Sequence, residues 1–90
     1  MAALNLGRVG EDLAGATITG PGATNVYVNG KKVVLFGDNV SGHGLSPHAS
    51  PTMAGSSQTV FANSIAVCRA GDAATCSHAL SPGSSNVFAG

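Results

Sequence analysis

Apolar positions in this chain come in short bursts, each bounded by Gly, Asn, Ser or Thr. Residues 26–28 (Val-Tyr-Val), 32–36 (Lys-Val-Val-Leu-Phe) and 65–68 (Ile-Ala-Val-Cys) are the clearest. They are rich in β-branched and aromatic side chains and too short to build helices, so they predict strands. Thirteen Gly and four Pro across 90 residues leave little room for a long helix. The pattern predicts an all-β chain.

The bursts repeat. Asn25-Val26-Tyr27-Val28-Asn29-Gly30 resembles Gln58-Thr59-Val60-Phe61-Ala62-Asn63-Ser64, and both resemble Asn86-Val87-Phe88-Ala89-Gly90. Each copy follows a small-residue lead-in: Gly22-Ala23-Thr24, Gly55-Ser56-Ser57 and Gly83-Ser84-Ser85. A second element recurs as Val34-Leu35-Phe36-Gly37-Asp38 and Arg69-Ala70-Gly71-Asp72. A looser version, Leu6-Gly7-Arg8-Val9-Gly10-Glu11-Asp12, stands near the N-terminus. Asn29-Gly30 favours the left-handed backbone of a type I′ turn, so 26–28 and 32–36 predict a hairpin. Asn63-Ser64 turns the second copy into 65–68. The third copy stops at Gly90, where its return strand is due, and residues 4–9 are that strand. The expectation is three pseudo-three-fold hairpin units, closed by pairing of the N- and C-terminal strands.

Only 9% of residues are charged, against roughly a quarter in ordinary soluble domains. Four basic residues balance four acidic ones, and Lys31-Lys32 is the only basic pair. That excludes a phosphate-neutralising surface, so nucleic acid is not an expected partner. No run of apolar residues is long enough to span a bilayer as a helix. The N-terminal residues lack a basic stretch followed by an apolar one, which predicts cytoplasmic synthesis. With no Trp, one Tyr and three Phe, the core must be built from small aliphatics. Such small scaffolds usually need a metal, a staple or a partner.

The candidate chemistry lies in the loops that follow the Gly/Asp turns. His43 and His48 fall in the second loop, and Cys76 and His78 in the third. A three-fold arrangement brings these loops together at one end of the axis. Three His and one Cys suit a four-coordinate zinc ion, and four protein ligands leave no position for water, which describes a structural site. The spacing of Cys76 and His78 predicts that both leave the same face of an extended segment. That spacing is a poor geometry for direct thiol–imidazole proton transfer. Cys68 reads as a small buried hydrophobe, and Asp38 and Asp72 as turn formers. The alternative reading is a small metal-dependent hydrolase that keeps one coordination position open. An adhesive or carbohydrate-binding module lacks support, because exposed aromatics are expected to be scarce, with Tyr27, Phe36, Phe61 and Phe88 all in strand positions.

Taken together, the Val-Phe hairpins, the Gly-Asp turns with Arg69 beside one of them, and the His/Cys loops resemble the PAAR-repeat family. That resemblance covers essentially the whole chain. It implies a small cone-shaped domain with a metal-pinned apex, spanning 1–90 as a single unit without an effector extension. It implies zinc, with iron as the alternative, held by His43, His48, Cys76 and His78. It further implies a monomer that caps a trimeric β-helical spike, of the kind used by type VI secretion systems and contractile phage tails. Such a tip passes through a target membrane transiently and is not an enzyme. The Pro-Ala-Ala-Arg signature itself is degraded here, and the first loop has no His.

Overall fold

The computed structural model describes residues 4–42, 44, 50–84 and 87–89. Among them there is no helix, and the chain is all-β. Eight short strands occur: β1 (Leu4–Asn5), β2 (Ile18–Gly20), β3 (Tyr27–Val28), β4 (Lys31–Lys32), β5 (Asn39–Val40), β6 (Phe61–Ala62), β7 (Ile65–Ala66) and β8 (Phe88–Ala89).

Three of the pairings are the expected hairpin units. β3 pairs with β4 and β6 with β7, each antiparallel; Asn29 and Gly30 (φ 53° and 81°) and Asn63 and Ser64 (φ 52° and 68°) form the left-handed turns. β1 pairs with β8, Leu4 opposite Ala89 and Asn5 opposite Phe88, so the chain ends complete the third unit.

Beyond each hairpin the return strand runs to the centre, where three equivalent segments close on one another. Arg8 bridges Val33, Leu35 bridges Val67, and Arg69 bridges Leu6. Between them the Gly7 N–H donates to Cys68 O (3.0 Å), Cys68 N–H to Val34 O (2.8 Å), and Val34 N–H to Gly7 O (3.0 Å). A donor cycle of this kind is the signature of a pseudo-three-fold axis. It also leaves no free edge at the centre, which is how a sheet fragment this small satisfies its backbone groups.

The axis divides the core in two. Successive side chains on each central segment leave opposite faces. Val34 and Cys68 join Ile18, Val40, Met53, Ala74, Cys76 and Leu80 on one side. Val33, Leu35, Leu6 and Val67 join Val28, Ala62 and Ala89 on the other. Gly7 occupies the place of Val34 and Cys68 in its unit, and a Cβ there would run into Leu80 and lie 3.3 Å from Val34 Cβ. Leu80 fills the space that the missing side chain leaves.

The aromatic residues lie elsewhere than their strand positions suggested. Tyr27, Phe36, Phe61 and Phe88 are all more than half exposed. Three segments crowding one axis leave room inside for Val, Ile, Leu, Met and Cys, and the rings go outward.

Candidate metal centre and docking surface

The loops are built from the Gly/Asp turns. In each turn the aspartate carboxylate accepts the backbone N–H of the residue that ends the central segment: Arg8 to Asp12, Leu35 to Asp38 and Arg69 to Asp72, all at 2.7 Å. Gly10, Gly37 and Gly71 take φ between 80° and 92°, which only glycine adopts cheaply. All three carboxylates are buried. The chain then makes an excursion and returns with one large apolar residue that pairs with the turn. Ile18, Met53 and Leu80 fill this role, donating to the O atoms of Asp12, Asp38 and Asp72 at 3.2, 2.8 and 2.8 Å.

In two units an arginine completes the turn. The Arg8 guanidinium donates to both Asp12 oxygens (3.0 and 2.9 Å) and to Gly83 O (3.1 Å). Arg69 does the same with Asp72 (3.1 and 3.0 Å) and Ser56 O (3.2 Å). The bonds to their aspartates push both arginines above their usual basicity. The second unit has Leu35 instead. Burial pushes the Asp38 carboxyl above its ordinary range, and only backbone donors, those of Leu35 and Gly22, oppose the shift. The sequence reading identified Asp38 and Asp72 as turn formers but missed the clamp. Its signal was available, because Arg8 and Arg69 each stand two residues before a turn glycine, Gly10 and Gly71, that leads into the aspartate.

The second and third loops do meet. Thr75 N–H donates to Thr52 O at 2.8 Å, Thr52 N–H to Thr75 Oγ1 at 3.1 Å, and Met53 bridges Ala74. Cys76 and His78 therefore sit on a loop stitched to the one that carries His43 and His48, and those two histidines lie outside the described residues. Cys76 is buried, with Sγ 4.0 Å from Ala14 O, while His78 is exposed. The extended spacing expected for this pair is not what forms. Ser77 has φ 76° and its N–H donates to Ala74 O (2.9 Å), so the segment turns between the two side chains. Among the described residues no three metal-ligating side chains gather. The donor chemistry nonetheless fits a thiophilic metal, since Cys76 is a free thiol with no disulfide partner.

Cys68 is also free and fully buried. Burial, with Asp72 and Asp38 nearby, pushes its thiol up to about 12. It is an inert core group, as its sequence context indicated.

The outer surface carries a second pattern. Tyr27, Phe61 and Phe88 occupy the same position in the three hairpins, and each alternates with an inward Val28, Ala62 or Ala89. Val26, Val60 and Ile65 are exposed beside them. Beside Tyr27 an open cleft lies between Val9, Pro21, Lys31 and Lys32.

No curated protein matches the chain. The family model for the PAAR motif matches residues 12–80, from the first buried turn aspartate to the apolar residue that closes the third loop. The chain belongs to the PAAR-motif family.

Proposed function

We propose that this chain is a structural tip that caps and sharpens a trimeric β-helical spike of a contractile injection machine, of the type VI secretion or phage-tail kind. The family is one of spike-tip proteins, not of enzymes. The observation that carries the reading is the closed pseudo-three-fold ring of backbone bonds around Gly7, Val34 and Cys68. One chain folded into three equivalent units offers a three-chain partner the same face three times. As a cap, the monomer sits on the trimer and passes through a target membrane only transiently.

In this proposal His43, His48, Cys76 and His78 hold a zinc ion at the far end. The support is the donor chemistry and the stitching of the third loop to the second through Thr52 and Thr75. A bound metal ties together two loops that the small aliphatic core alone constrains weakly. Four protein donors fill a tetrahedral shell, so the role is structural.

The test is co-purification with a trimeric β-helical spike protein, with elemental analysis of chelator-free material. The expected result is one cap per trimer and about one zinc per chain. A cap that ignores the spike refutes the docking role, and metal-free native protein refutes the zinc site. Iron in place of zinc is read from the same measurement.

A further inference from the structure

The hairpins carry more than shape. We infer that Tyr27, Phe61 and Phe88 are three equivalent anchors on the spike, and that Lys31 and Lys32 mark one of the three corners for an acidic partner surface. This rests on the spike-tip reading and names the residues and chemistry that perform it.

The three rings are 58%, 58% and 51% exposed and stand at one repeat position. Their cross-strand neighbours differ completely: Lys32 opposite Tyr27, Ala66 opposite Phe61, and Asn5 opposite Phe88. The ring position stays aromatic while its neighbour changes charge, size and polarity. Packing within the hairpin does not demand an aromatic there, since the inward positions Val28, Ala62 and Ala89 do the burying. Exposed aromatics repeated in this way fit a partner that offers one apolar pocket per chain. A homotrimer does so, whereas an asymmetric partner has no use for three.

Charge identifies the second feature of that partner. Among the described residues the ion pairs are Arg8–Asp12 and Arg69–Asp72, which occupy both arginines and two of the four acids. Asp38 is buried. The cations that remain for a partner are Lys31 and Lys32, both on the Tyr27 hairpin and both lining the cleft beside that ring. The other two units carry Ile65-Ala66 and Leu4-Asn5 at these places. An acidic side chain on each chain of the trimer therefore finds a lysine pair at one corner only. The complementary surface is an apolar three-fold end with carboxylates beside its pockets.

The experiment measures affinity of the full chain for a purified trimeric β-helical spike protein. The variants are Tyr27→Ser, Phe61→Ser and Phe88→Ser, singly and together, and the pair Lys31→Glu with Lys32→Glu. These side chains are on the surface, and an unchanged melting temperature confirms that each variant is folded. Each aromatic change is expected to weaken binding about tenfold or more, and the triple change to abolish it. The lysine pair change should weaken binding several-fold and flatten its salt dependence.

Full binding by a folded triple variant overturns the anchor assignment and leaves the spike reading standing. Loss from the aromatic changes with none from the lysine change overturns the acidic-partner assignment. A wild-type chain that does not bind the spike overturns both the reading and this inference. A wild-type chain that self-associates through these rings, shown by a monomeric triple variant in sedimentation, identifies a second copy as the occupant and also overturns it.

Discussion

Arg69→Leu isolates the contribution of the clamp, because the protein already contains the product. Its second unit has Leu35 at the matching place, above a buried Asp38 with the same backbone bond. Leucine therefore fits, and the change removes the guanidinium hydrogen bonds without opening a large cavity. Two of these reach Asp72 at 3.1 and 3.0 Å and one reaches Ser56 O at 3.2 Å. A hydrogen bond to a charged group contributes about 1.5–3 kcal/mol net, and bonds from one guanidinium do not add independently. The Arg69 side chain is 17% exposed, which weakens the charge term further. About 2 kcal/mol of destabilisation at pH 7 is the resulting expectation. For a domain of this size that lowers the melting temperature by about 8–16 °C.

Thermal melts at pH 7, with Arg69→Lys as the charge-retaining control, measure this destabilisation. A loss below about 0.5 kcal/mol would refute the clamp argument. The pH dependence belongs to the unclamped turn. Burial raises the Asp38 carboxyl above its unfolded value, so the folded state holds that proton more tightly. Its contribution to stability is present below the unfolded pKa and is lost as pH rises through the raised folded one.

The converse change, Leu35→Arg, places a guanidinium over Asp38 and its neighbour Gly22. A gain of about 1 kcal/mol at pH 7 is expected, after the loss of Leu35 burial, and it should fade as Asp38 protonates. A lower melting temperature at pH 7 would mean that the packing of Leu35 outweighs the clamp. Gly7→Ala should cost about 1–3 kcal/mol by overpacking against Leu80, and Leu80→Ala should make that cost smaller. Strict additivity of the two in a denaturation cycle counts against the contact. Cys76→Ser should abolish zinc retention by elemental analysis and lower the melting temperature of metal-loaded protein; a variant that keeps both speaks against the thiol as a ligand.

The hairpins and their closure were legible because turn chemistry is local. Asn29-Gly30 and Asn63-Ser64 state their own backbone conformation, and the missing return strand of the third unit stood at the other end of the chain. The loop geometry was not legible, because one residue decides it. Ser77 at φ 76° breaks the alternation on which the Cys76–His78 expectation rested, and nothing in Thr-Cys-Ser-His announces a left-handed serine. The aromatics were misjudged for a different reason. Hydrophobicity says that Phe61 and Phe88 should be inside, but the space inside is set by three strands meeting at one axis. A clue lay in the register, since Lys32 directly opposite Tyr27 marks that face of the hairpin as the outer one.

The turns also account for why so few charges suffice. Five of the eight charged residues, Arg8, Arg69, Asp12, Asp38 and Asp72, belong to the turns, where they order loops and contribute little to the solvated surface. That leaves Lys31, Lys32 and Glu11 outside. A surface with three formal charges and four exposed aromatic rings is poorly suited to remaining bare in water. Buried carboxylates and outward aromatics are thus two sides of one arrangement. The axis is too narrow for rings and the turns need acids, so ionic groups are drawn inward and apolar ones pushed out. A partner with three-fold symmetry would cover three of the four rings, Tyr27, Phe61 and Phe88, at all three hairpins at once.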